Sequence, residues 1–278
     1  MDRSSPRPWR PSALIRASIA LHVGAAGVTL LRPHWWPWAL SAVLADHLLI
    51  AGSGLWPRSR LLGPNWTHLP PVPASGGTRG PVAITIDDGP DPEVTARVLD
   101  VLDEHRASAT FFCIGERVER HGALARAIVA RGHEIGNHSY RHLMSFSLLG
   151  PRGVAQEIAR AQTAIGDATG EIARFFRAPA GLRNPFLEPA LSRANLQLVS
   201  WTRRGFDTVY GSADRVLGSL TRDLRGGDIL LLHDGHAART PTGAPVIIEV
   251  LPGLLQALRR AELAPITLSA ALERGAAA

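Results

Sequence analysis

The 278-residue chain has no lysine, so all 30 of its basic side chains are arginine. Its single cysteine, Cys113, excludes an internal disulfide framework and any cysteine-rich zinc site. Charged residues are scarce at 19%, against 45% hydrophobic, which excludes a disordered or acidic-tail protein. The 27 glycines follow no three-residue period, which removes the collagen class. Gly89 and Gly115 build neither a dinucleotide fingerprint nor a phosphate loop.

The charge that is present is unevenly placed. Residues 1–63 carry +5 of the net +6. A basic balance ordinarily points to nucleic acid. Here the excess lies on an apolar segment, so membrane orientation is the better account and no nucleic-acid partner is expected. Two apolar runs, about 13–31 and 35–56, are each close to the ~20 residues that cross a bilayer. Between them Trp35, Trp36 and Trp38 mark a headgroup interface. Residues 1–63 are therefore read as a membrane-anchoring helical hairpin in contact with lipid, of a bacterial inner-membrane type. The other readings are a signal sequence, given the basic start and apolar first run, and an amphipathic or core-packed segment, because Asp46 and His47 interrupt the second run. With two spans, the arginines before, between and after the runs put both ends in the cytoplasm; with one, the rest of the chain faces outward. Residues 64–80, rich in Pro and Gly, read as a linker, and 81–278 as a second domain.

In that domain short apolar runs alternate with helical patterns. The runs are Val82–Asp87, Ala109–Gly115, Glu134–Ser139, Phe175–Ala178, Leu196–Thr202, Asp228–His233 and Pro265–Leu268. Helical spacing follows in sets such as Val154, Ile158, Ala161 and Ile165. The alternation predicts an α/β fold, a distorted (β/α) barrel of about seven parallel strands preceded by the hydrophobic hairpin. Asp87-Asp88, His138, Arg177 and His233 stand at or just past run ends, where parallel α/β folds gather reacting groups.

Asp87 and Asp88 are adjacent on an extended chain, so they should point to opposite faces and do different jobs. His138 and His142 are four apart, which on one helical turn brings both to one face as metal ligands. Coupled to the Asp pair, they would make a His-His-Asp site with positions left open for water. Each block alone has a plainer reading: a turn with an N-cap at Asp91-Pro92-Glu93, a surface His pair, and a buried structural His233. Cys113 lies in an apolar strand and reads as an inert buried thiol. Arg203-Arg204 reads as solvated.

Taken together the blocks resemble the polysaccharide deacetylase family, which shares the NodB homology domain (carbohydrate esterase family 4), over roughly residues 81–270. Thr85–Pro90 is similar to the family's T-F-D-D-G-P with Ile86 in place of Phe, and His138–His142 to H-S/T-x-x-H. Arg177-Ala178-Pro179 looks like R-x-P, and Leu231–Asp234 like the closing L-x-H-D. The fourth block, normally Asp-Trp, is Asp207-Thr208 here, which removes one groove wall. The resemblance implies metal-assisted hydrolysis of an amide. Asp88, His138 and His142 would hold Zn²⁺, or Co²⁺ or another divalent ion, and Asp87, oriented by Arg177, would be the general base. Ala180 would stabilise the oxyanion through its backbone N–H, with Pro179 beside it. His233, paired with Asp207, would protonate the leaving amine, and Leu231 would line the acyl pocket. The implied substrate is an N-acetylated amino sugar of a polysaccharide or envelope glycan. A lipid-linked amino sugar, deacetylated or deformylated at the membrane surface, is a second reading, and an inactive glycan-binding module a third.

Overall fold

The computed structural model describes residues 8–71 and 79–276. Arg3 and Arg7 of the basic N-terminus, and Pro73, Gly76 and Gly77 of the expected linker, lie outside the described residues. Strand β1 (Gly80–Asp87) is central and pairs in parallel with β2 (Ala109–Cys113) on one side and β7 (Ile229–His233) on the other. Beyond β2 come β3 (Glu134–Asn137), β4 (Phe175–Phe176) and β5 (Gln197–Leu198); beyond β7 lies β6 (Arg203–Arg204). The order is β5-β4-β3-β2-β1-β7-β6, and β8 (Leu263–Pro265) pairs with the first residues of β1. The sheet curls into a half-barrel, as the alternating pattern predicts. Short β6 is the strand that the sequence hides: Arg203-Arg204 pairs with Leu230 and Leu231, and the Arg203 Nε lies 2.6 Å from Asp228 Oδ2.

Period-two alternation assigns the two faces. On β1, Val82, Ile84 and Ile86 point to the outer, helix-covered core, while Ala83, Thr85 and Asp87 take the inner face. On β7, Leu230 and Leu232 face outward and Ile229 and Leu231 inward. Cys113 falls on the outer side, fully buried, with its thiol pushed well up by desolvation. The outer core is closed by amphipathic helices. Helix α3 (Thr95–Glu104) buries Val98, Leu99 and Leu102; α6 (Pro151–Thr169) buries Val154, Ile158, Ala161 and Ile165. Pro151 at the first turn of α6 and Gly170, at φ 75° just past its end, fix its limits. Helix α9 (Val246–Arg260) contributes seven buried side chains, each worth roughly 1.5–3 kcal/mol relative to exposure. The rest of the layer is α4 (Gly115–Arg120), α5 (Gly122–Ala130), α7 (Leu187–Arg193) and α8 (Ala213–Thr221), while α10 (Leu268–Ala276) packs Leu268 and Ala271 against the inner-face cluster.

Two helices precede this domain, α1 (Ala13–Leu31) and α2 (Trp36–Leu55). The apolar segments that contain them, Ala13–Leu31 and Pro33–Leu55, are long and apolar enough to cross a membrane. Leu30, Leu31 and Trp38 are each at least three-quarters exposed and Leu48 nearly so, so no core among the described residues covers them. The end of α2 is nevertheless tied to the domain. The Arg183 N–H donates to the Gly54 carbonyl at 3.1 Å, and the Ser200 hydroxyl donates to the Pro57 carbonyl at 2.6 Å. Residues 64–71 of the expected linker run along the sheet, with Trp66 bridging to Val199 and Leu69 bonded to the Gly227 carbonyl.

Because Ile84 is fully buried on the outer face, Ile84→Ala should cost about 2–5 kcal/mol in urea denaturation. Its neighbours on the inner face should keep their positions.

Candidate active site

Register brings the potent side chains to one rim. Asp87 pairs with His233 across β1 and β7, and Asn137 pairs with Phe176, so His138 and Arg177 each lie one residue beyond the last pair. Asp87, Asp88, His138, His142, Ala180, Leu231 and His233 all line one cavity of about 560 Å³. Arg177 and Asp207 are buried behind its wall, and Pro179 is buried in the turn before Ala180 without lining it.

Two local conformations differ from the sequence expectation. Asp88 does not continue the strand: its φ is 74°, and this left-handed turn brings its carboxylate into the cavity beside that of Asp87. The expected opposition of the two side chains therefore fails at the strand's end. His138 and His142 are not on a helix either. They sit on a loop with Ser139 at φ 63° and His142 at φ 52°. Asn137 Oδ1 accepts the Ser139 N–H, and Ser139 Oγ accepts the His142 N–H. Glu157, reaching over from α6, accepts the N–H groups of Tyr140 and Arg141 through one oxygen and the Arg141 Nε through the other. The i, i+4 spacing thus converges for a reason other than helical periodicity.

The geometry around Asp88 is the unusual feature. His138 Nε2 lies 3.3 Å and His142 Nε2 3.2 Å from Asp88 Oδ1, yet that buried oxygen accepts no hydrogen bond. His138 Nδ1 is 2.8 Å from the Arg177 carbonyl and donates to it, which turns its Nε2 toward the carboxylate. One ligating atom from each of Asp88, His138 and His142 lies within 4.8 Å of the other two. Burial raises the Asp88 carboxyl, but His138 and His236 outweigh it and hold it well below the usual carboxylate range. Burial and then His138 push His142 down to about 4, leaving it neutral. Burial also opposes charge on His138, but Asp87 and Asp88 win and its pKa is raised.

Two ion pairs flank this cluster. Arg177 Nη1 is 2.7 Å from Asp87 Oδ1 and also donates to the Thr85 hydroxyl, while its Nε and Nη2 donate to the carbonyls of Val199 and Ser200. Its guanidinium stacks over Phe112 at 4.2 Å. His233 Nδ1 is 2.9 Å from Asp207 Oδ1, and the His233 backbone N–H donates to the other oxygen at 2.6 Å. Burial pulls His233 down, but the Asp207 hydrogen bond and charge carry it up to about 9.

The sequence profile of the polysaccharide deacetylase family matches residues 75–199. A chitooligosaccharide deacetylase of Sinorhizobium fredii is 38% identical over 169 residues, covering 60% of this chain and 78% of its own length. A peptidoglycan-N-acetylglucosamine deacetylase of Bacillus cereus is 35% identical over 175 residues, covering 62% and 81%. Among solved structures, the family 4 carbohydrate esterase from Streptomyces lividans in complex with acetate superposes with a TM-score of 0.62 at 30% identity, covering 68% of this chain and 93% of that one. The chain belongs to the polysaccharide deacetylase family. It is a hydrolase of the class that acts on amide carbon–nitrogen bonds.

Against the family motifs, the structure places Asp234 of L-x-H-D under the floor: it accepts the Thr95 hydroxyl, and Gly89 packs on it. Burial raises it to about 7. A histidine outside the motifs, His236, joins the cluster, with its Nδ1 3.2 Å from Asp88 Oδ2. Its Nε2 faces the Arg117 Nη2 at 3.3 Å, so the arginine donates there and the imidazole N–H is left for the carboxylate. No spacing signal marks it; only its position two residues past His-Asp does. Trp201 does two jobs, packing in the inner core and lining the cavity.

The raised His233 sets a sign for stability. Its contribution is fully present below pH 6.5 and is lost as pH rises through about 9. Urea denaturation at stepped pH should therefore find wild type more stable than Asp207→Asn by up to roughly 3 kcal/mol in mild acid. The gap should narrow through that window.

Proposed function

We propose that the chain is a membrane-anchored, divalent-metal-dependent deacetylase that removes an N-acetyl group from an amino sugar of a polysaccharide or cell-envelope glycan. The observation that carries this reading is the buried, unbonded Asp88 Oδ1 set between two imidazole nitrogens, with a second carboxylate alongside. A cation among the carboxylate oxygen and unprotonated imidazole nitrogens would turn the repulsion of their lone pairs into attraction. Two nitrogens and one oxygen suit Zn²⁺ or a similar borderline ion, with Asp88, His138 and His142 as the residues that would hold it. Such an ion, when bound, polarises the acyl oxygen and lowers the pKa of a water.

The chain's own groups supply the rest. Asp87 Oδ1 is fixed by Arg177, which leaves Oδ2 as the oxygen that takes the proton from the attacking water. Ala180, held left-handed at φ 54° on the cavity wall, offers its backbone N–H to the oxyanion. His233, kept protonated by Asp207, delivers a proton to the leaving amine. Leu231 gives the acyl methyl an apolar wall. His236 positions Asp88 by occupying its second oxygen. Relatives that deacetylate chitooligosaccharides and peptidoglycan support an N-acetylglucosamine-containing glycan.

A specific observation also favours the lipid-linked substrate. Trp56, Pro57 and Arg58, just past the apolar α2, line a cavity with Trp201 and Arg204, and those last two also line the catalytic cavity. The membrane-side end of the hairpin therefore adjoins the site's mouth. Arg117, Arg120, Arg141 and Arg204 on the same cavity suit a substrate with an anionic group.

With N-acetylated chitooligosaccharide as substrate, the full chain in detergent should release acetate and lose it on chelation, with activity returning on adding Zn²⁺ or Co²⁺. Asp87→Asn should lower the rate about 10²–10⁴-fold; unchanged release would overturn the assignment. A topology reporter fused at Ala278 tests the second reading, since an outward signal contradicts a cytoplasmic lipid-linked substrate.

A further inference from the structure

The catalytic cavity is not the only place where imidazoles and a carboxylate converge. Halfway along α1 and α2 stand His22, Asp46 and His47, each offering a ligating atom within 4.8 Å of those of the other two. Apart from Arg16 in the first turns of α1, these are the ionisable side chains of both helices. Nothing in the catalytic reading uses them.

A single polar lock would suffice to hold two apolar helices together, and the hairpin already has one: the Ser18 hydroxyl donates to Asp46 Oδ2 at 2.6 Å. The two imidazoles are additional. Each is fixed in the same way, with Nδ1 2.8 Å from the carbonyl four residues earlier, Ser18 for His22 and Val43 for His47. A ring whose Nδ1 donates to a carbonyl is in the tautomer that leaves Nε2 unprotonated, the form in which histidine ligates metals. The rings are 5.2 Å apart and inclined at 69°, and His22 Nδ1 is 3.9 Å from Asp46 Oδ2. In a helix that spans a bilayer, an unpaired acceptor at mid-depth demands a partner, and a carboxylate met by one hydroxyl still carries a charge that is costly there.

We propose that His22, Asp46 and His47 form a second metal site, taking a divalent transition ion of the Zn²⁺ class in the middle of the hairpin. Two neutral imidazoles and one carboxylate match the donor preference of such an ion, and the ion's charge offsets that of Asp46 at a depth where a bare carboxylate is costly. The site joins α1 to α2 and is separate from the catalytic cluster in sequence and in space, so it stands whether or not the deacetylase assignment does.

The test counts ions on the full chain in detergent, stripped with chelator and titrated with Co²⁺ by visible absorption and elemental analysis. The His22→Gln/His47→Gln double variant should bind one ion fewer than wild type and keep its acetate release. Asp88→Asn should also bind one fewer but lose acetate release, which tells failure of one site from failure of the other. His47→Gln alone, at an exposed side chain, should weaken the hairpin site at least about tenfold. An unchanged ion count in the double variant overturns the proposal. So does a double variant that keeps its ions but changes its oligomeric state relative to wild type, since the cluster would then be a contact between copies.

Discussion

Everything at the rim depends on the buried pair of Asp87 and Arg177. An arginine almost wholly removed from water is costly unless its donors are all engaged. Here they meet Asp87, the Thr85 hydroxyl and two main-chain carbonyls from residues 199 and 200. Those contacts join β1 to the turns after β4 and β5, so one guanidinium fastens the inner faces of three strands. Its own carbonyl then accepts the His138 Nδ1–H. The same residue thus orients a carboxylate on one side and an imidazole on the other. Removing it would leave an unpaired buried carboxylate as well as a slack rim, which is why its effect cannot be separated into structure and chemistry.

Around that anchor the two adjacent carboxylates come to differ. Asp87 is the last residue of a paired strand and faces an arginine; Asp88 is turned back by a positive φ into a nest of imidazoles. One backbone dihedral separates their environments. The same division appears in the histidines, since His142 is driven neutral by burial and by His138, whereas His233 is held charged by Asp207. In our reading this is a division between groups that hold an ion and groups that move protons.

Much of this was legible in the sequence, for a physical reason. Strand ends are marked by the change from apolar runs to Asp, His and Arg, and parallel pairing brings such ends to one rim whatever the loops do. The parts that escaped depend on contacts between distant residues. The loop that brings His138 to His142 is shaped by Glu157, an acid on α6 with no local signal, and the i, i+4 spacing misleads toward a helix. Asp88 leaves the strand through a left-handed φ that its residue type does not announce. Arg203-Arg204 reads as solvent-facing because its partner Asp228 lies 25 residues away. The docking of the α2 end against Arg183 and Ser200 is equally silent in composition, although it decides where the cavity mouth lies relative to the apolar helices.

The most direct test of the central claim compares the two neighbouring carboxylates in one preparation, measuring bound zinc and acetate release together. The account predicts that Asp87→Asn keeps the wild-type zinc content while acetate release collapses, and that Asp88→Asn loses both one zinc and turnover. Equal zinc loss in the two variants, or turnover surviving in either, would contradict it.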